Sequence, residues 1–220
     1  MAKKGLSIVI LFVLLAATAI LASCDRTSLE RYGDRIADYR YAFFRYVCDS
    51  FTVDAYSGER ETPFASDGKC AEEKTEYTLF TVRPLGDRAV SEITVTFGGE
   101  EMTASLAEHP FKGTYSAEFP IAVDVTSTEL SVSLDGETVA LARQGMNENG
   151  VDGEYALTLA LSECEEKRKT WESYEILLRV SENTITAAGG WYWYVGFLHD
   201  GETFSVLVSI DTGEIVAVRG

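Results

Sequence analysis

From about residue 75 onward the apolar side chains recur at every second position. Ile93, Val95 and Phe97 alternate with Thr94 and Thr96, and Leu130, Val132 and Leu134 alternate with Ser131 and Ser133. Phe119, Ile121, Val123 and Val125 follow the same rule. Successive side chains of a strand point to opposite faces, so this pattern builds strands with one apolar and one polar side. Gly98-Gly99 and Asp135-Gly136 stand between the runs, and such pairs suit two-residue hairpins, which need positive φ. Adding Tyr77–Arg83, Met102–Leu106 and Thr138–Leu141 predicts about six strands over residues 75–143, spaced as in an antiparallel β-sandwich.

This run is similar in general layout to the immunoglobulin-like modules of bacterial surface proteins. Residues 144–220 resume the pattern as a C-terminal antiparallel β-meander. Tyr155, Leu157, Leu159 and Leu161 alternate, Ser162 to Trp171 reads as a charged linker with room for a helical turn, and Tyr174, Ile176, Leu178 and Val180 alternate again. Gly190–His199, Thr203–Ile210 and Glu214–Arg219 follow, joined at Asp200-Gly201 and Asp211-Thr212-Gly213. Between the two β regions, Asn147 to Gly153 is rich in oxygen ligands. Its spacing does not match the calcium loop that ends on a Glu at position twelve, so it reads as a solvated loop.

Ahead of the sandwich, Thr27-x-x-Glu30 matches a capping box. Leu29, Tyr32, Ile36, Tyr39, Phe43 and Tyr46 then recur at three- and four-residue steps, which predicts one amphipathic N-terminal helix packed on a sheet. Ser50 to Lys74 is polar and turn-rich, a connector with room for one short strand at Phe51–Ala55. The expected fold is therefore mainly β, a sandwich plus a meander, with one helix. Its divisions are 1–23, 24–74 (helix and connector), 75–143 and 144–220.

Residues 1–23 are set apart by charge. Lys3 and Lys4 open the chain, no charge follows from Gly5 to Ser23, and Leu21-Ala22-Ser23-Cys24 closes the run. A basic start, an apolar stretch and small residues before a cleavage point are the parts of a secretory signal. The length alone would equally suit a membrane-spanning helix. The end of the run decides, because Leu21-Ala22-Ser23-Cys24 resembles the processing motif of bacterial lipoproteins. That resemblance implies that the Cys24 thiol is diacylglycerylated, that residues 1–23 are removed, and that the body sits on the extracytoplasmic face of the cell membrane. Two or more acyl chains hold stably, since each buried CH₂ contributes about 0.8 kcal/mol. Asp25 directly after that Cys resembles the inner-membrane retention signal of diderm bacteria.

The chain carries a formal charge of −16, and removal of Lys3 and Lys4 makes the body more acidic still. Phosphate backbones and anionic head groups are repelled by such a body, so nucleic acid is not an expected partner and the lipid is the expected membrane contact. A hydrophobic fraction of 46% with 11 Tyr, 11 Phe and 3 Trp argues for a packed core. With Cys24 assigned to lipid, Cys48, Cys70 and Cys164 remain. Export permits disulfides, and the spacing leaves both a Cys48–Cys70 bridge and three free thiols open. No Cys-x-x-Cys or Cys/His cluster stands in the sequence, which argues against a structural zinc.

Two features bear on activity. Trp193-Tyr194-Val195, the strand ending in Asp211, and Thr212-Gly213-Glu214-Ile215-Val216 together resemble the closing hairpin of a PepSY-type domain over residues 191–219. Family members carry two residues between the Asp and the Thr-Gly, whereas here Asp211 abuts Thr212. The resemblance implies a non-catalytic extracytoplasmic module that binds or restrains partner proteins. Trp191, Tyr192, Trp193 and Tyr194 also admit a platform for a glycan or peptide. The competing reading is that they cover the helix or the seam between sheets, and apolar residues on both faces of a strand favour it.

No nucleophile–base pair, phosphate loop, zinc-protease motif or cofactor motif is present. His109 and His199 fall at loop positions, and Cys164 lies among Glu163, Glu165 and Glu166, where negative charge weakens a thiol as a nucleophile. The expectation is a lipid-anchored, non-catalytic binding module with a protein or glycan partner. Its alternatives are an envelope-polymer hydrolase and an accessory subunit of a membrane complex.

Overall fold

The computed structural model describes residues 27–86, 89–124, 126–145, 149–182 and 190–220; Cys24 and the stretch before it lie outside them. In chain order, helix α1 (Ser28–Tyr32) and a 3₁₀ turn (Gly33–Arg35) lead into β1 (Ile36–Val47), β2 (Phe51–Glu61) and β3 (Lys74–Pro84). Then come β4 (Glu92–Phe97), β5 (Glu100–Ser105), β6 (Ala107–Glu108), β7 (Tyr115–Phe119), β8 (Glu129–Leu134) and β9 (Glu137–Gln144). Helices α2 (Gly153–Glu163) and α3 (Glu165–Arg168) precede β10 (Glu175–Glu182), β11 (Trp191–His199), β12 (Glu202–Ser209) and β13 (Ile215–Arg219). The described strands form one 13-stranded sheet. The fold is mainly β and antiparallel, with a short N-terminal helix.

The turn residues do what their chemistry requires. Gly98 and Gly99 join β4 to β5, Asp135 and Gly136 join β8 to β9, and Asp200 and Gly201 join β11 to β12. All six have positive φ, as a type I′ hairpin demands. Pairing then runs β1-β2-β3-β7-β6 on one side and β1-β9-β8-β4-β5 on the other. Only Leu106 separates β5 from β6, so this bent pair nearly closes the sandwich region into a barrel. Phe44, Phe51, Phe80, Ile93, Val95, Leu130, Val132 and Leu141 fill its interior and are essentially inaccessible to water.

The remaining strands, β13-β12-β11-β10, form the meander and attach through a parallel β10–β1 pair. Helix α2 lies over one face of the meander. Ala156, Leu157, Ala160 and Leu161 make its buried stripe against Leu178, Trp193, Val195 and Val206. Asp152 caps it, its Oδ1 accepting from the Tyr155 N–H at 2.9 Å. Burying a side chain the size of Leu157 contributes roughly 1.5–3 kcal/mol.

Several expectations are corrected here. The helix stops at Tyr32, and residues 36–47 form the central strand. Phe43 faces the meander core while Ala42 and Phe44 face the barrel core. A strand covered on both faces loses its alternation, and two register shifts, between Ile36 and Asp38 and between Arg40 and Ala42, change its facing further. The connector's short strand is the eleven-residue β2, so residues 36–61 belong to the sheet. Tyr155 to Leu161 is helical: its leucines alternate by chance, and the buried positions follow a helical step. Of the run Phe119–Val125, Phe119 ends β7, Ile121 and Val123 lie outside any strand, and Val125 is outside the described residues.

Gly58 lies tight against the backbone of its neighbouring strand. It lies opposite the β1 bulge, and a Cβ there would collide with the Tyr39 carbonyl oxygen, whereas one on Gly33 would meet nothing within 4 Å. Gly58→Ala is expected to lower stability by about 2 kcal/mol or more, with Gly33→Ala within about 0.5 kcal/mol of the parent. Urea midpoints of the two variants check this, and equal midpoints would remove the bulge from its structural role.

Candidate functional site

Arg40 of β1 and Arg179 of β10 are direct partners across the parallel pair. Two guanidinium groups side by side repel, and one carboxylate resolves the conflict. Asp38, only 1% exposed, accepts from Arg40 Nε at 3.0 Å and from Arg179 Nε at 2.6 Å, both through Oδ2. Tyr77 donates its hydroxyl to Asp38 Oδ1 at 2.7 Å and accepts from Arg40 Nε at 2.9 Å. Charged hydrogen bonds of this kind are about twice as strong as neutral ones and fix geometry. Each arginine is thus braced through Nε, and the cluster of two cations and one anion keeps a net positive charge.

The two arginines line an open cleft of about 330 Å³ with Tyr56, Val180, Ser181 and Tyr194. Tyr194 is the β11 partner of Arg179, and the Arg40 guanidinium lies 5.6 Å from the Tyr56 ring centre. Burial, as the largest cause, raises the Tyr56 and Tyr77 hydroxyls above their ordinary pKa, with Asp54 and Asp38 adding to it respectively. Both therefore stay protonated donors at neutral pH. Arg45, further along β1, makes the contrast. Asp54 binds it at 2.7 and 3.2 Å and Glu182 at 2.8 Å, so two carboxylates answer one cation. In an acidic chain the Arg40–Arg179 cleft thus sets two cations against the one carboxylate of Asp38.

The segment 62–73 straps over β10 beside this cleft. Glu61 accepts from the N–H groups of Ala65 at 3.2 Å and Ala71 at 2.6 Å. Glu175 accepts from Gly68 at 3.2 Å, while its Oε1 is buried without a protein partner. Phe64 of the strap lies 6.0 Å beneath the Arg179 guanidinium. Burial raises the Glu175 pKa from its ordinary 4.5, and the charges of Glu61 and Asp67 add to that rise.

The expected aromatic platform divides. Trp193 is fully buried in the meander core, its indole N–H donating to the Val151 carbonyl at 2.9 Å; it presents no surface. Trp191 is half-buried against Phe43, with ring centres 4.6 Å apart. Tyr192 and Tyr194 are half-exposed on the opposite face, and of the four residues Tyr194 alone lines the cleft.

The Cys48–Cys70 bridge does not form. The three described cysteines are free thiols. Cys48 sits at the β1–β2 turn, bonding the Phe51 carbonyl, and Cys70 sits by Ala71 and Glu61 at the other end of β2. An eleven-residue strand at about 3.4 Å per residue separates them, far beyond the ~7 Å Cα limit of a disulfide. Burial, more than neighbouring charge, pushes both the Cys70 and Cys164 thiols up to about 11.

The sequence reading missed Asp38, Arg40, Tyr56 and Arg179. The signal for the arginines was a cation set between large apolar residues, Tyr39-Arg40-Tyr41 and Leu178-Arg179-Val180, which a strand places on one face. Comparison with protein-family models, curated proteins and solved structures finds no match to the chain.

Two expectations follow from this geometry. Asp38→Asn leaves two adjacent guanidinium groups without their counter-charge, so it should destabilise by about 3–5 kcal/mol. Chemical denaturation reads this, and an unchanged midpoint would show that the cluster is not braced by Asp38. Glu175→Gln should have a pH-dependent effect. A carboxyl whose folded pKa lies above its unfolded value holds full stability below about 4.5 and loses it as pH rises toward the folded pKa. The variant should therefore gain on the parent as pH is raised from 4 to 8. A stability difference flat across that range would contradict the assignment.

Proposed function

We propose that the chain is a lipid-anchored, extracytoplasmic, non-catalytic binding module of a bacterial envelope, and that it recognises an anionic group in the Arg40–Arg179 cleft. The braced guanidinium pair carries this reading. Stability alone does not call for two arginines sharing one buried carboxylate, because apolar residues of similar volume hold such a site as well or better. A cleft with two fixed forks and two tyrosine hydroxyls suits a carboxylate or phosphate, which accepts paired hydrogen bonds. The lipoprotein-like motif ending in Cys24 supports the anchor, and the PepSY-type resemblance of residues 191–219 supports a binding role over a chemical one. Glu61 and Glu175 are buried carboxylates close enough for the charge of Glu61 to raise the Glu175 pKa. Both carboxylates are engaged in holding the 62–73 strap, which favours binding over hydrolysis.

Mass spectrometry of the mature N-terminus is expected to find a diacylglyceryl-modified Cys24 as the first residue. An unmodified Cys24, or a start elsewhere, would overturn the anchor. For the cleft, NMR titration with phosphate, glucuronate and a short peptide bearing a free carboxyl terminus should move the resonances of Arg40, Arg179 and Tyr194. Arg179→Gln, which leaves Arg40 to balance Asp38, should weaken that binding about tenfold. Binding unaffected by Arg179→Gln, or absent for all three probes, would refute anion recognition there.

A further inference from the structure

A second cavity lies outside the arginine cleft and owes nothing to it. It measures about 430 Å³, within the common range for small-molecule sites, and opens where α3 and residues 170–171 meet the β11–β12 hairpin. Its walls are aromatic. Trp171, half-buried, lies 6.2 Å from Phe197 and 5.6 Å from Tyr174, and it stacks on His199 at 5.4 Å and 27°. A carbonyl can only accept, so His199 Nδ1 donates to the Ser173 carbonyl at 2.6 Å. That bond fixes the imidazole and, through the stack, holds the indole as a rigid platform beside the opening.

The polar groups around this platform narrow the ligand. Lys167, Thr170, Glu202 and Thr203 ring the cavity, a mixture of donors and acceptors with both charges present. An anion would face Glu202. An organic cation would compete with Lys167, whose Nζ already lies 4.8 Å from the Phe204 ring centre. A purely apolar molecule would strip water from the polar ring and return no hydrogen bonds. A sugar ring meets all of these conditions, with an apolar C–H face for the indole and hydroxyls that both donate and accept around its edge.

We propose that this cavity binds a neutral pyranose unit of a glycan. The sugar's C–H face lies on Trp171, its hydroxyls donate to Glu202, and they accept from the Lys167 ammonium. This places glycan recognition at Trp171, by the end of β11 opposite to the Trp191–Tyr194 cluster.

The test uses the full-length protein in detergent, titrated with maltotriose, cellotriose and N,N′,N″-triacetylchitotriose and followed by calorimetry and tryptophan fluorescence. At least one neutral trisaccharide is expected to bind saturably. Trp171→Ala should weaken that binding about tenfold or more, Trp171→Phe should retain it within about threefold, and Glu202→Gln should weaken it several-fold. Arg179→Gln should leave it unchanged, which keeps this result separate from the fate of the arginine cleft. Should the alanine variant fail to fold, Trp171→Phe and Glu202→Gln still decide between binding and no binding at this cavity. No saturable binding of any neutral trisaccharide, binding indifferent to Trp171, or preference for glucuronate or glucosamine over neutral sugars would each overturn the proposal.

Discussion

The structure depends on the hydrogen-bonding capacity of one strand. β1 gives one edge wholly to β2 and divides the other between a parallel partner, β10, at residues 36–40 and an antiparallel partner, β9, at residues 43–45. The division makes the sheet fork, and each branch builds its own core. Ile36 and Phe43 of β1 enter the core beneath α2, while Ala42 and Phe44 enter the barrel. Because successive side chains point to opposite faces, Phe43 and Phe44 serve two cores by alternation alone, and the two register shifts alter the facing elsewhere along the strand. The bulge between Arg40 and Ala42 needs close backbone approach on its neighbour, which is why a residue without Cβ stands at position 58.

The same fork creates the arginine cleft. Parallel pairing aligns Arg40 with Arg179, and at about 4 Å two like charges near a protein surface cost on the order of 4 kcal/mol at an effective dielectric constant near 20. Asp38, two residues before Arg40 on β1, converts that repulsion into two charged hydrogen bonds. The cost moves to the carboxylate, which is buried, and Tyr77 meets it by donating from β3. Four groups on three strands are therefore coupled. Changes among them should be strongly non-additive, as groups in one network are.

Much of this was legible in the chain. Each dipeptide turn signal gave the turn its residues demand, and most strands of the sandwich and meander follow their alternation. The failures share a cause: an apolar pattern reports where side chains are covered, and period alone identifies an element only when one face is covered. β1 is covered on both faces and bulged, so its aromatics fell by chance on a helical step. In α2, alanines at 156 and 160 complete a buried stripe that a reading based on large residues passes over. The candidate site was less legible than the fold, because Arg40, Arg179 and Asp38 meet only through a pairing between residues 36–40 and 176–179. No local pattern encodes a contact across some 140 positions of sequence. Tyr194 was reached because its aromatic neighbours drew attention, and Trp193, which looked equivalent, is core because it is one step out of phase.

The charge of the whole body bears on how such a cleft can work. A chain of formal charge −16 repels anions at a distance, so long-range attraction does not bring an anionic ligand to Arg40 and Arg179. At physiological ionic strength the repulsion is screened beyond about 8 Å, and within that distance the two guanidinium groups dominate. Recognition in such a site is governed by contact geometry, since only a ligand that fits both forks recovers what the approach costs. This favours selectivity over speed. The lipid anchor proposed above would make that arrangement tolerable, because a tether fixes position and raises the local concentration of whatever shares the surface. In the proposed role, held by lipid and surrounded by like charge, the cleft would discriminate by shape among the anions that reach it.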